Sequence, residues 1–322
     1  MFIRAARNVL ISTIIVSLQM GIVLAAEPRP AEPADPDFAV QGEYQGELVK
    51  LAARKKIGVQ VVALGKGKFR AVTFFGGLPG DGWDKSETLT SNGETDKNNA
   101  TFANGDLHIR IENGTMIIET EKGMAGQLKK VVRRSPTLEA KAPQGAVVLF
   151  DGKNADQFEA GRITEDGLLR PGATSKQKFQ SGTLHVEFQI PYAPLIPSRG
   201  NSGVYLQSRY EVQILDSFGF KPHNHECGGI PSVREADLIM SFPPQSWQTY
   251  DVEFTAAKFQ DGKKTKPARM TIRQNGVLIH DDVEVPHTTT SAPLMEGPES
   301  APLNFQEHGS EVRFRNIWFL PH

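Results

Sequence analysis

Residues 183–190 read Thr-Leu-His-Val-Glu-Phe-Gln-Ile, apolar at every second position. A period of two belongs to a strand with one buried face. Leu184, Val186, Phe188 and Ile190 are therefore expected to face a core, and Thr183, His185, Glu187 and Gln189 to face solvent. The pattern returns at residues 250–254, at 270–273 and 277–279 on either side of Asn275-Gly276, and at 311–319. Asn-Gly between two β-rich arms signals a hairpin, because both residues accept the positive φ of a tight two-residue turn. No long stretch carries the 3.6-residue period of an amphipathic helix. Many short antiparallel strands predict a two-sheet sandwich of jelly-roll type over residues 146–322.

The preceding part of the chain is also β-rich. Residues 59–64 and 69–75 flank Gly65-Lys66-Gly67 and read as a hairpin. Residues 107–111 and 116–119, around Asn113-Gly114, read as a second. Residues 76–83 hold four glycines and a proline, but no following helix or Lys-Ser/Thr pair, so a surface loop fits better than a phosphate cradle. With His108 alone among these strands, residues 42–132 form a small β-meander domain with no catalytic set. Residues 133–145, with Arg133-Arg134, Ser135-Pro136 and Ala142-Pro143, have the composition of an inter-domain linker.

The 322 residues carry a net charge of −1, which leaves no basic footprint for nucleic acid. Arg4 and Arg7 precede an uncharged run over residues 9–24, followed by Ala25-Ala26. Those are the parts of a secretory signal peptide, assigned to residues 1–26. The mature protein is then exported to the periplasm or cell envelope, without stable membrane insertion, and residues 27–41 form a Pro- and Ala-rich linker. A single cysteine, Cys227, forms no internal disulfide and is expected to be buried.

Polar residues suited to chemistry gather in the last third of the chain. In Tyr210-Glu211-Val212-Gln213-Ile214, Glu211 and Gln213 share one strand face and Val212 and Ile214 the other. An acid and an amide two residues apart suit the donors and acceptors of sugar hydroxyls. Arg199 and Asn201 precede Ser202-Gly203, where glycine lets a ligand approach the backbone closely. Gln306, Glu307 and His308 lead toward a strand carrying Arg313. The run His223-Asn224-His225-Glu226-Cys227 has the spacing of no standard zinc motif.

In order, residues 148–154, 200–205, 210–217, 247–250, 275–277, 306–309 and 312–317 resemble the 3-keto-disaccharide hydrolase domain family, also described as a 3-keto-glucoside 1,2-lyase/3-keto-2-hydroxy-glucal hydratase domain. The resemblance spans about the last 175 residues. It departs at Glu307, where the family's Gln-Asp-His-Gly motif has Asp, and in an insertion holding Cys227 and Pro243-Pro244. The layout of signal, small β domain and this domain is similar to exported proteins of planctomycete-type bacteria.

The resemblance implies a concanavalin A-like, laminin G-like jelly roll acting on a glycoside or oligosaccharide already oxidised at C3. A C3 ketone acidifies the C2 proton, so a base removes it, the C1 substituent leaves, and water adds back. His308 or Glu211 is the expected base, Arg199 or Arg313 the oxyanion partner, and Gln213, Asn201 and Gln306 the hydroxyl-orienting groups. A divalent cation, Ca2+ or Mg2+, could replace the arginine, with Asp216, Glu211 or His308 as ligands. The alternative is a lectin-like binding module without catalysis, stacking sugar on Tyr192, Tyr205, Tyr210 or Trp247.

Overall fold

The computed structural model describes residues 35–49, 56–96 and 99–322. The signal segment 1–26 and residues 27–34 of the expected linker lie outside the described residues. The end of that linker is a short helix, α1 (Asp37–Val40), docked through its first residue and its C-cap. Asp37 Oδ2 accepts the Gly67 N–H at 2.8 Å, and Gln41 Oε1 accepts that of Ala63 at 3.0 Å.

Eight strands follow: β1 (Gly42–Leu48), β2 (Lys56–Gly65), β3 (Lys68–Phe75), β4 (Leu89–Asp96), β5 (Asn99–Asn104), β6 (Leu107–Glu112), β7 (Thr115–Thr120) and β8 (Gly123–Val131). Each pairs antiparallel with its successor, and β8 returns to β1, closing an up-and-down barrel. Side chains such as Tyr44, Val59, Val61, Phe69, Phe102 and Leu128 form its core, as eight strands leave just enough room for side chains to fill. The β6–β7 turn is Asn113-Gly114 with φ of 46° and 69°, the conformation a two-residue hairpin demands.

The remaining strands are β9 (Val147–Phe150), β10 (Phe158–Glu159), β11 (Thr174–Phe179), β12 (Gly182–Gln189), β13 (Ser202–Leu206), β14 (Tyr210–Ile214), β15 (Trp247–Thr255), β16 (Lys258–Gln260), β17 (Lys263–Lys266), β18 (Ala268–Gln274), β19 (Val277–Val285), β20 (Ala301–Phe305) and β21 (Arg313–Pro321). They build a five-stranded sheet, β10-β11-β20-β13-β14, against a six-stranded one, β19-β18-β15-β12-β21-β9. β16 and β17 form a separate two-stranded ribbon. Leu184, Val186, Phe188 and Ile190 meet Val204, Val212, Ile214 and Phe305 in the shared core. Asn275 and Gly276, with φ of 51° and 77°, turn β18 into β19, and Cys227 is free and buried.

The second face of β12 departs from expectation. His185 and Glu187 are fully buried and Gln189 is nearly so, not solvated. The cover is the segment expected to be a linker. Ser135 Oγ lies 2.7 Å from Thr249 Oγ1, and Thr137 Oγ1 donates to Asp251 Oδ2 at 2.7 Å. The Ala140 carbonyl accepts Asn316 Nδ2 at 3.0 Å and Trp318 Nε1 at 3.3 Å. Residues 133–140 are thus strapped across the six-stranded sheet, and polar residues beneath find protein partners in place of water. His185 Nδ1 lies 2.6 Å from Asp251 Oδ1, and its ring stacks on Trp318.

Burial alone would lower the His185 pKa, but hydrogen bonds to Asp251 and Glu187 outweigh it and raise the imidazole above its ordinary value. A raised folded value means that the histidine's stabilisation is complete below the unfolded value and is lost as pH rises through the folded one. The Tm difference between wild type and His185→Asn is therefore expected to be larger at pH 6 than at pH 9. Equal differences at both values would remove the charged imidazole from the account.

Candidate active site on the five-stranded sheet

β13 and β14 are joined by Gln207-Ser208-Arg209, and the first two are at positive φ (53° and 51°) although neither is glycine. Tertiary bonds hold this turn: Gln207 Nε2 donates to the Phe179 carbonyl and Ser208 Oγ to that of Pro302, each at 3.0 Å. The resulting register sets Tyr205 opposite Glu211 and Gly203 opposite Gln213. With Val204 and Val212 in the core, strand alternation places all four on the outward face. Asn304 of β20 pairs with Tyr205 and joins the same face.

Glu211 is 3% exposed. Tyr205 Oη lies 2.8 Å from Glu211 Oε2 and 3.0 Å from the Thr290 carbonyl, so its single proton serves one of them at a time. Gln306 Nε2 donates to the same phenol oxygen at 3.2 Å, and the Glu211 N–H donates to Thr289 Oγ1 at 2.9 Å. The loop carrying Thr289 and Thr290 is pinned by Arg209, which donates to the carbonyls of Met295 (2.8 Å), Gly297 (3.1 Å) and Glu299 (3.0 Å). Glu211 Oε1 is buried and has no hydrogen-bond partner among the described residues. Burial pushes the carboxyl up to about 7, and the Tyr205 bond offsets only part of that rise.

Gly203 makes this arrangement possible. A Cβ there would lie 2.0 Å from Glu211 Oε1. Gly203→Ala is expected to swing the carboxylate away and cut turnover about a hundredfold, the scale of a 1 Å misplacement, while circular dichroism stays native. Wild-type turnover in that variant would show that the position of Oε1 is irrelevant.

A second cluster lies past the ends of the same strands. Arg199 donates to Glu226 Oε1 at 2.9 Å and Oε2 at 3.2 Å, and to the Asp216 carbonyl at 3.0 Å. Its guanidinium sits 4.4 Å from the Phe220 ring centre, and Arg70 of barrel strand β3 sits 4.5 Å from the same ring. Burial pushes the Asp216 carboxyl up to about 6, against the pull of the Phe218 N–H and Arg199. Asp216 is half-buried. Glu226 and Arg70 were not legible as site residues. The only signal for Glu226 was its place in the His223–Cys227 run, and nothing local to β3 marks Arg70.

The other expected residues scatter. Gln306 and Gln213 stand by Glu211, although Gln213 Oε1 is occupied by the Ile214 N–H at 2.9 Å. Asn201 Oδ1 is buried without a hydrogen-bond partner among the described residues. Arg199 is neutralised by Glu226 and is not a free oxyanion group. Arg313 belongs to the other sheet: it pairs with Gln189 of β12, and its neighbour Phe314 takes the core position. It therefore does not reach the Glu211 face. His308 is exposed in the loop after β20 and makes no hydrogen bond among the described residues. Asp216, Glu211 and His308 do not assemble as ligands, and among the described residues no three His, Cys, Asp or Glu side chains are placed to hold a metal ion. Of the four aromatics, Tyr205 and Tyr210 are buried, Tyr192 packs on the barrel core and Trp247 lies under Arg315, 4.1 Å away.

The fold and this face define a concanavalin A-like jelly roll bearing a carboxyl group held near neutrality. Residues 145–320 match the 3-keto-alpha-glucoside-1,2-lyase-like domain family, and the chain belongs to that family. A crystal structure from Parabacteroides distasonis, provisionally named a glycosyl hydrolase, is 30% identical over 56% of this chain and 85% of its own, with a TM-score of 0.52. Two further structures from that organism carry the same kind of name. One is 16% identical over 60% of this chain and 98% of its own, with a TM-score of 0.41. The other is 19% identical over 55% and 99%, with a TM-score of 0.40. No curated protein matches the chain. No helix among the described residues is long and apolar enough to cross a membrane.

Proposed function

We propose that the protein is an exported enzyme that cleaves 3-keto-glycosides, with Glu211 as the base. One observation carries the assignment: a carboxyl group near pKa 7, with one oxygen beside a tyrosine hydroxyl and the other unpartnered in the space vacated by Gly203. Family membership supports the substrate class. Glu211 Oε1 takes the proton from C2, the C2–H electron pair forms the C1–C2 double bond, and the C1–O bond breaks to release the aglycone. Water then adds at C1 and a proton returns to C2, so the net change is hydrolysis. Gln306 and Gln213 border the base and are placed to orient sugar hydroxyls. Oε1 is closed from water in the free protein, so the sugar must displace part of that cover to reach it.

Of the two expected bases, Glu211 is favoured because a general base works best with a pKa close to the operating pH and in fixed geometry. His308 has no hydrogen-bond partner among the described residues to orient it. The lectin-like alternative loses its platform, since none of the four aromatics presents a free ring face as a group.

The test is incubation of purified protein with a 3-keto-glucoside, following enone absorbance and aglycone mass, with a parallel EDTA arm for cation dependence. Because the base must be ionised, kcat/KM is expected to fall tenfold per pH unit below about 7 and level off above it. No aglycone release from the wild type would refute the catalytic assignment.

A further inference from the structure

A recess of about 460 Å3 lies beside the β16–β17 ribbon, on a different part of the sandwich from Glu211. Lys258 and Lys266 line it and are paired directly opposite each other across the ribbon. Like charges facing across two strands repel, and an isolated two-stranded ribbon has little stability to offset that. Two of the neighbouring cations are neutralised. Arg269 pairs with Asp282 and Glu284, each at 2.6 Å, and Lys264 pairs with Glu296 at 2.5 Å. Lys258 and Lys266 have no partner among the described residues. The one carboxylate in the lining, Glu284, is already committed to Arg269. Ala256 and Pro267 contribute apolar surface to the lining.

We propose that this recess binds an acidic saccharide: a pyranose bearing a carboxylate or sulfate, its C–H face on Pro267 and Ala256 and its anion between the two ammonium groups. That the ligand is a saccharide rests on the carbohydrate function proposed above; that it is anionic rests on the lysine pair alone. The volume lies within the range of small-ligand sites and admits a sugar ring. Charge-assisted hydrogen bonds from two ammonium groups supply the affinity. Lysines that only guard a sheet edge against pairing need no recess and no apolar floor. Here the pair borders a recess that also has apolar lining. The site would hold the enzyme on an acidic polysaccharide while the Glu211 face works on a separate glycoside.

Native gels cast with polygalacturonate, dextran sulfate or uncharged dextran test this on the full-length protein. Retardation is expected in one or both anionic gels and not in dextran, and the two anionic gels separate carboxylate from sulfate preference. Lys258→Ala/Lys266→Ala is expected to weaken retardation at least about tenfold, as loss of charge-assisted hydrogen bonds implies. The barrel control Lys66→Ala/Lys122→Ala, with the same change in charge, is expected to behave as wild type. Absent retardation, equal weakening in both double variants, or tighter lysine-dependent binding to anionic lipid vesicles or RNA would each overturn the proposal. Turnover of a neutral 3-keto-glucoside by the same preparations separates the two hypotheses. Retardation without turnover removes the catalytic assignment and leaves the acidic-saccharide site standing; turnover without retardation does the reverse.

Discussion

Glu211→Gln is expected to lower kcat/KM on a 3-keto-glucoside by about 10²–10⁴-fold, the usual contribution of a positioned general base. The amide keeps the size of the carboxyl group and can still accept from Tyr205, but it cannot take the C2 proton. The same variant is expected to gain stability at alkaline pH. The folded-state pKa of about 7 lies above the ordinary 4.5, so the native state binds the extra proton and loses stability as pH rises between those values. Gln carries no charge to desolvate, so Glu211→Gln should have a higher Tm than wild type at pH 8 and nearly the same Tm at pH 4. A fall in turnover together with a rise in alkaline Tm would identify a group whose burial serves chemistry at the expense of stability. Unchanged turnover would exclude Glu211 as the base.

The largest stability effect is expected at Glu187, on the opposite sheet. Its Oε2 accepts Arg315 Nε at 2.7 Å, and its Oε1 accepts Asn316 Nδ2 at 2.8 Å and the Glu139 N–H. Burial would raise this carboxyl group, yet the donors around it hold it below the usual carboxylate value. Removing the anion takes a fully buried counter-charge from Arg315, only 18% exposed, and releases the strap at Glu139. Glu187→Ala is expected to cost about 3–5 kcal/mol, the scale for removing one member of a buried ion pair. Urea titration followed by the fluorescence of Trp247 and Trp318 measures this. Glu187→Leu/Arg315→Met should recover part of the loss, because no buried charge is then left alone. A cost below about 1 kcal/mol for Glu187→Ala would mean that water replaces the carboxylate and the strap is loosely held.

Local chemistry made much of the fold legible. Asn113-Gly114 and Asn275-Gly276 form their turns because the required positive φ is a property of those two residues. The alternation in β12 correctly selected Leu184, Val186, Phe188 and Ile190 for the core. It could not say what becomes of the other face. His185 and Glu187 look solvated in any local window, and they are buried because residues 133–140, some fifty positions away, lie over them. Composition likewise marked that segment as a linker, since serine, threonine and proline suit a tether and a strap equally well. Which one forms depends on the polar face it can reach.

The site divides in the same way. That Glu211 and Gln213 share a face follows from strand period alone, and their neighbourhood with Gly203 is implicit in a hairpin. Arg313 looked equally suitable, but β21 is hydrogen-bonded to β12, which assigns it to the other sheet. Arg199 looked like a free cation, yet Glu226 lies beyond β14 and meets it only after the chain turns back. Arg70 arrives from the barrel.

The residue pattern by itself determined an all-β chain, its principal hairpins, the inward residues of β12 and β14 and the acid–amide pair on β14, because each depends on neighbours within a few positions. Tertiary structure decided which polar residues are buried, which cations are neutralised and which carboxyl group sits near neutrality. Those properties depend on desolvation and on charges brought together from distant parts of the chain, and both exist only once the sheets, the strap and the loop at Thr289 have packed.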